Sequence, residues 1–534
     1  MRQQILQIHP ADNVIVALQD VPKGTPAGGV TALRDVPAKH KLTTTFIPQN
    51  GDVIMYGVLV GQAKEDLPPG ELISTANVRH ASGNFGVRAE RKTDWQAPDV
   101  STWKDRSFLG YHRSDGRVGT GNYWIILPLV FCENRNVQLL HETLTKGLGY
   151  QKGNPYESLL QEMLHGGKHT SQAESASSRP FPQVTGIKLL THTMGCGCTK
   201  DDARTLCGIL AGYVTHPNVA GATVLSLGCQ NAQVAMLREE IEKRSPGYDR
   251  PLVILEQQQE GTEKLLIEQA MRQTFDGLAK ANAQERKPAP LSKLIVGMEC
   301  GGSDGFSGIS ANPAVGKVAD RIVALGGSVI LSEFPELCGV EQELSDRCVN
   351  TGLAEKYTGL MKTYAARAEA VGSGFDSNPS AGNIRDGLIT DAIKSAGAAR
   401  KGGSSPVTDV IDYPGWVQRP GLALLCTPGS DVESTTAEVG AGANVVLFTT
   451  GLGTPTGNPV TPVLKLSTNS RLAAKMPDII DLDTGPIING DETLEQAADR
   501  IMELLISSAS GHYTAKAQLL EQDDFIPWKR GVSL

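Results

Sequence analysis

The sequence predicts a mixed α/β protein of several domains, and three observations predict it. The chain has 534 residues, more than one hydrophobic core holds, so roughly two to four domains are expected. Its first ninety residues read as short alternating strands broken by Pro/Gly turns, without helical periodicity. From Gly110 onward, apolar strand-like runs alternate with amphipathic helical stretches, the pattern of a mostly parallel sheet covered by helices.

In the N-terminal part the expected strands are Gln4–His9, Asn13–Leu18, Val53–Leu59 and Leu72–Val78, separated by turns at Pro22–Gly24, Pro48–Gly51 and Pro68–Gly70. This segment, residues 1–92, reads as a small barrel or clip. Ala89–Lys104 is polar and aperiodic, and a linker is assigned to 93–108. Strand-like runs follow at Tyr123–Leu129, Ile187–Thr191, Ala222–Leu227, Leu252–Leu255, Leu294–Met298, Ser328–Ser332, Leu422–Cys426 and Asn444–Thr449, with helices expected at Ala232–Lys243, Gly261–Ala281, Ala314–Leu325 and Leu494–Ala509. The break near Lys243–Pro251 divides a middle α/β domain, 109–248, from a larger C-terminal one, 249–534. Ser171–Ser178 and Gly402–Pro406 read as loops.

Composition excludes several classes. The formal net charge is −8, with no basic stripe for a phosphate backbone, so nucleic acid is not an expected partner. The longest apolar run, Tyr123–Cys132, is too short to span a bilayer, so no membrane partner is expected. No secretory leader is read at the N-terminus, and nine cysteines, an odd number, suit reduced thiols in a cytoplasmic protein. The 58 glycines exceed the usual share of about 7%, which suits tight turns and backbone that approaches ligands closely.

Candidate chemistry gathers where strands end in glycine-rich, polar segments, because ligands bind at the carboxyl ends of parallel strands. One such end carries His192, Cys196 and Cys198; a second carries Cys229; a third carries Glu299, Cys300, Ser303 and Asp304. If these strands are neighbours, His192, Cys196, Cys229 and Cys300 converge on one rim, where imidazole and thiolates suit iron or zinc. Removing water from a polyhydroxy acid needs a base, a positive centre for the enediolate and an acid for the leaving hydroxyl. His192 is a candidate base or ligand, Lys465 a candidate base or carboxylate anchor, and Glu299 and Asp304 candidate acids. The turn Thr450–Pro459, with Gly453 and Thr454, presents backbone N–H groups suited to a carboxylate.

Taken together, the segments GYHRSDGRVGTGN (110–122), THTMGCG (191–197), SLGCQNAQ (226–233), MECGGSDGFSGISANPAVG (298–316), SEFPELCGVEQEL (332–344), NPSAGN (378–383), GLGTPTGNPVTPVLKLSTNS (451–470) and IDLDTG (480–485) resemble the altronate/galactarate dehydratase family over nearly the whole chain. The resemblance implies an N-terminal SAF-type β-clip, a middle domain linked to dimerisation and a C-terminal Rossmann-like parallel domain. It also implies loss of water from an aldonate or aldarate, altronate first, to give a 2-keto-3-deoxy acid. The implied cofactor is a divalent metal, Fe2+ before Mn2+, with a three-cysteine iron–sulfur cluster as a variant. The implied partners are a small sugar acid and a second copy of the chain in a homodimer. Asn77, Ser303, Asp304, Gly453 and Thr454 are the expected substrate contacts. The chain departs from the family at the SAF segment: relatives carry Val-His-x-His-Asn, whereas Ile73-Ser74-Thr75-Ala76-Asn77 stands here, with His80 nearby but out of register. Gly121 and Leu452 stand where relatives often have arginine, and Ala398 where altronate-type relatives have cysteine.

Overall fold

The computed structural model describes residues 4–88, 94–165 and 179–534; the expected loop at Ser171–Ser178 and part of the expected linker lie outside the described residues. Two compact units form: residues 1–110 with 288–528, and residues 111–287 with 529–534. The fold is mixed α/β, with a β-rich N-terminal segment and a large parallel sheet in the C-terminal region.

In the first unit the N-terminal strands pair antiparallel, as short hairpin-connected strands must. Ile5–Leu6, Val14–Ala17, Lys41–Thr43 and Leu72–Ile73 make one sheet, and Asp52–Met55, Val58–Ala63 and Val78–Arg79 another. The run expected as one strand, Val53–Leu59, is a hairpin. Tyr56 and Gly57 both take positive φ (59° and 77°), the two-residue turn whose twist matches the flanking strands. The sheets bury Val14, Val16, Val53 and Val60 in one cluster with Phe306, Ile309, Leu388 and Ile393 of the C-terminal region. Two lysines reinforce this docking. Lys39 Nζ lies 3.0 Å from Asp304 and 2.5 Å from Asp386, and buried Lys41 donates to the Gly387 carbonyl at 2.5 Å.

The C-terminal sheet has seven strands in the spatial order Val407–Asp412, Gly421–Cys426, Ser328–Leu331, Ile295–Cys300, Val445–Thr450, Val463–Ser467, Leu482–Asp483. Every pairing is parallel. Strands two-sidedly buried need no alternation, and Val445–Thr450 and Gly421–Cys426 are buried at every residue. The strand that opens the domain, Ile295–Cys300, lies in the middle. The next strand in sequence pairs on one side of it, and Val445–Thr450 pairs on the other. The order therefore reverses here, which is the topological switch point where open α/β sheets place their ligands. Thr351–Ala370, capped by the Asn350 side chain, is a twenty-residue helix that the apolar spacing did not announce.

The second unit holds a four-stranded parallel sheet in the order Gly186–Leu189, Tyr123–Pro128, Val219–Ser226, Leu252–Glu256. Leu252–Leu255, expected in the C-terminal domain, thus continues this sheet, and helix Glu263–Ala281 packs beside it through Leu266, Ala270 and Leu278. The division expected at 248 falls inside that packing. Trp124 is fully buried at the centre of this unit, in a cradle made by two glycines. A Cβ at Gly221 or at Gly277 would collide with its indole ring.

Gly277 sits inside a helix, where alanine is favoured by about 1 kcal/mol, but the collision with Trp124 costs more, about 1–3 kcal/mol for overpacking. Gly277→Ala is therefore expected to lower the unfolding temperature of the chain. Differential scanning calorimetry checks the sign; a rise would mean that propensity outweighs the cradle.

Candidate active site at the switch point of the large sheet

The strand Ile295–Cys300 ends against Gly301 and Gly302, and these two glycines open a cleft of about 500 Å³. That volume suits a small-molecule site. Cys300, Gly301, Gly302, Glu336, Asn378, Ser380, Asn383, Lys394, Asp431 and Leu452 line it. Gly301 is needed for steric reasons: a Cβ there would overlap the Asp431 carboxylate and come within 2.7 Å of the Phe448 ring. Gly302 has φ +58° and packs against Thr450 and Thr454, a conformation and a contact that a side chain would disturb.

Beneath the cleft lies a buried charge cluster. Lys401 Nζ is 2.8 Å from Cys300 Sγ and 3.1 Å from Glu333 Oε2, with Lys401 only 1% exposed. Lys394 Nζ donates to Glu336 at 2.5 Å and to Asn378 Oδ1 at 3.0 Å, and Asn378 Nδ2 donates to Glu336 at 3.1 Å. Helix Asp391–Ala398 carries Lys394, and the 3-10 turn that follows it carries Lys401, so the two ammonium groups are seven residues apart along one face. Glu333 follows the neighbouring strand and has a left-handed backbone, φ 61°, a strained choice for a residue with a Cβ. Its N–H donates to Thr427 Oγ1 at 2.8 Å.

The two carboxyls that face the cleft are driven in opposite directions. Burial works to raise Glu336, but Lys394 and Lys401 outweigh it and hold the group below its ordinary value. Burial raises Asp431, and Glu336 adds to the rise, against the opposing pull of Lys394 and Lys465. The pair is thus pushed apart, Glu336 toward its ionised form and Asp431 toward its protonated form. Burial is outweighed at Lys394, raised by Glu336 and Cys300, and at Lys401, raised by Cys300 and Glu333. Burial pushes the Cys300 thiol well up.

The residues named from sequence fall into three groups. Cys300, Glu299 and Lys465 belong to this region. Glu299 is fully buried below the cleft and accepts from Ser434 Oγ at 2.7 Å and Ser332 Oγ at 3.3 Å, its carboxyl raised by burial and by Glu438. Lys465 is no surface lysine. It is fully buried, donates to the Thr456 carbonyl, lies 3.5 Å over the Phe448 ring, and is lowered by burial to about 7. The turn residues form the second group. Gly453 (φ +97°) and Thr454 donate their N–H groups to Thr450 Oγ1, and the Ser303 carbonyl accepts from Asn383 Nδ2 at 2.7 Å. Here the turn's donors point inward, and it is Leu452 that reaches the cleft.

The third group is engaged by local partners or lies on the other sheet. Asp304 is fully buried and accepts from Phe306 N–H, Ser307, Thr468 and Asn469 as well as from Lys39; it is a structural hub. Asn77 closes its own turn, accepting from Ser74 N–H at 2.8 Å and donating to the Leu72 carbonyl at 2.9 Å, as turn-forming asparagines do. His192 has both ring nitrogens occupied: Nε2–H donates to the Pro128 carbonyl at 2.9 Å and Nδ1 accepts from Met194 N–H at 3.1 Å. Burial lowers it to about 4, so it is neutral near pH 7, with both ring nitrogens engaged by the backbone. Cys196 and Cys229 are exposed thiols on touching loops, joined by Asn231 Nδ2 donating to the Cys196 carbonyl at 2.7 Å.

The single rim expected for His192, Cys196, Cys229 and Cys300 is two. The first three follow strands of the four-stranded sheet, whereas Cys300 ends a strand of the seven-stranded one. Strand ends look alike in sequence whichever sheet they serve. The iron implied by the resemblance does not fit the donor set read from sequence, because His192 has no spare nitrogen and Cys300 already faces an ammonium. The functional groups that sequence reasoning missed are Lys394, Lys401, Glu333, Glu336 and Asp431. Glu336, Asn378 and Asn383 lie inside two of the family segments, and the seven-residue spacing of the two lysines was a readable signal.

Comparison with known proteins covers the whole chain. The family model for the altronate/galactarate dehydratase SAF domain matches residues 3–81, that for the second domain of D-galactarate dehydratase/altronate hydrolase matches 110–282, and that for the D-galactarate/altronate dehydratase C-terminal domain matches 291–533. The altronate dehydratase of Escherichia coli strain K12 is 35% identical over 99% of this chain and 100% of its own length. That of Bacillus subtilis strain 168 is 32% identical over the full length of both chains. The galactarate dehydratase (L-threo-forming) of Escherichia coli is 30% identical over 95% of this chain and 92% of its own.

The neutral, buried His192 yields a signed pH dependence. Below its ordinary value of 6.5 the unfolded chain takes up a proton that the native residue refuses until about pH 4. Its contribution is complete above pH 6.5 and is lost as pH falls toward 4, by about 3 kcal/mol at the bottom of that window. His192→Gln is expected to flatten the loss of stability across the same interval, read from urea unfolding curves; an unchanged slope would mean that the imidazole is protonated in the native protein.

Proposed function

The chain belongs to the altronate/galactarate dehydratase family, and from that premise we propose that the switch-point cleft removes water from a six-carbon aldonate or aldarate, altronate first, to give a 2-keto-3-deoxy acid. The observation that carries this reading is the pair of carboxyls lining one cleft with opposite shifts, Glu336 held below its ordinary value and Asp431 raised above it. Groups pushed apart in this way mark the base and the acid of a reaction. Lys394, held charged beside Glu336, is the cation for the substrate carboxylate. Asn378, Ser380 and Asn383 supply polar groups for hydroxyls along the same wall.

The step balances as follows. Glu336 takes the proton from C2, and the electron pair passes into the carboxylate as an enediolate, stabilised by Lys394 with Lys401 behind it. The pair then expels the C3 hydroxyl, which leaves as water with the proton of Asp431. The enol product tautomerises to the keto acid. Lys465, lowered to about 7 with Asp431 as the strongest of the charges that favour its protonation, exchanges protons near neutrality, and its ammonium form is the donor that returns a proton to Asp431 between turnovers. The hydrophobic wall at Leu452, where relatives often have arginine, favours an acid with one carboxylate over one with two.

A panel of hexonates and hexarates assayed for 2-keto-3-deoxy product tests the class, and altronate is expected to be the best substrate. Deuterium wash-in at C2 from heavy water separates the two roles. Asp431→Asn is expected to keep the exchange while elimination falls about 10²–10⁴-fold, and Glu336→Gln to lose both. Exchange that survives in Glu336→Gln would move the base to Lys465.

A further inference from the structure

The thiol and carboxylates around Cys300 already hold a cation in Lys401, but a second donor cluster in the same unit holds none. It is built from three elements. His80 follows the last N-terminal strand, Val78–Arg79; Cys338 ends the 3-10 turn Phe334–Leu337; Asp391 is the first residue of helix Asp391–Ala398. One ligand atom from each, an imidazole nitrogen, a thiol sulfur and a carboxylate oxygen, lie within 4.8 Å of one another. Cys338 Sγ and His80 Nε2 are 4.0 Å apart. Ligand bonds of about 2.0–2.3 Å to a tetrahedral metal set donors roughly 3.3–3.8 Å apart, so the cluster needs to contract by less than about 1.5 Å.

Two features of the site itself call for an occupant. His80 Nδ1 and Asp391 Oδ2 are buried without a hydrogen-bond partner, and Asp391 is 1% exposed. A buried carboxylate oxygen left unpaired is costly. Among the described residues no lysine or arginine forms an ion pair with any of the three. The close approach is built in: Gly339 (φ +93°) has Ala392 Cβ 3.1 Å and Ser82 Cβ 3.7 Å from where its own Cβ would stand. We propose that His80, Cys338 and Asp391 form a binding site for a thiophilic divalent metal, zinc or ferrous iron, separate from the switch-point cleft and serving to position it.

Donor chemistry selects the metal class. Thiolate with imidazole favours zinc and iron over magnesium or calcium. Burial acts against the charged forms, leaving His80 as the neutral imidazole that ligates metals and raising Cys338 and Asp391; a dication displaces the thiol and carboxyl protons. Glu341, whose carboxyl reaches the Cys338 thiol, is the nearest group for a fourth ligand. The position explains the role. Cys338 lies two residues after Glu336, and Asp391 one helical turn before Lys394, so a metal here fixes the two elements that carry that ion pair to the end of the N-terminal sheet.

The test uses the full-length chain stripped with chelator and titrated with cobalt(II), whose thiolate charge-transfer and d–d bands report ligand type without turnover. One cobalt per chain with a thiolate band is expected. Cys338→Ser should abolish the band, and His80→Ala, a change at a half-buried side chain, should weaken binding ten-fold or more while the circular dichroism of the metal-free protein stays the same. The proposal is overturned if no cobalt binds, or if the band survives Cys338→Ser and disappears in Cys196→Ser, Cys229→Ser or Cys300→Ser. Because none of these readings depends on dehydration, a failed metal site and a failed substrate assignment are told apart.

Discussion

Lys401 is an ammonium group with almost no contact with water, and the centre of the large sheet is arranged around it. Its charge faces Cys300 and Glu333 directly, with Glu299 and Glu336 among the groups that hold it protonated. Stripping an ammonium of water costs several kcal/mol unless its partners are close and well bonded, so the partners must be held there. That requirement explains the left-handed backbone of Glu333, whose strain places the carboxylate at the lysine rather than along the strand. It also explains why the carboxyls outnumber the cations. Glu299 and Glu438 are raised to about 8 by burial and by neighbouring carboxyls, and the protons they retain replace cations the interior does not contain.

The same imbalance reaches the cleft in usable form. A cluster in which every acid was ionised would repel a sugar acid, and one in which every acid was neutral would hold no base. Lys394 divides the cleft: near it Glu336 is held toward its ionised form, while Asp431, across the glycine opening, is raised by burial and by Glu336. Gly301 is the steric condition for this division, because any side chain there would displace Asp431. Backbone sterics and electrostatics are therefore one constraint at this point of the fold, and the strand ending at Cys300 carries both.

Much of this was legible in the sequence, and what was not has identifiable physical causes. Continuous apolar runs marked most strands of both parallel sheets, since fully buried strands are apolar throughout; the hairpin at Tyr56–Gly57 was hidden because its two-residue turn contains an aromatic residue and a single glycine. Cys300 and Glu299 were found because a strand end followed by two glycines is a local signal. Glu336, Lys394, Lys401 and Asp431 were not found: the spacing of the two lysines is a local signal, but only the tertiary fold sets them against carboxyls that lie on other helices and turns. His192 and Asp304 misled for a related reason. Their chemistry is that of catalytic groups, but backbone partners and neighbouring side chains consume it, and sequence does not show where a polar side chain's hydrogen bonds go.

The N-terminal sheets gain a role from this accounting. Where relatives carry two histidines, this chain has Ser74 and Ala76, and Asn77 is spent on its own turn. Yet the sheets send Lys39 to Asp304 and Asp386, and Lys41 to the Gly387 carbonyl, while Val14, Val53 and Val60 share a core with Leu388 and Ile393. Those contacts fix the two segments that frame the cleft, the turn after Gly302 and the approach to helix Asp391–Ala398. A lysine in contact with two aspartates is a rigid strut, and four further donors fix Asp304 in place. The imidazoles missing from this domain therefore remove nothing from the docking itself, which rests on ammonium groups and apolar packing and leaves the chemistry to the switch point.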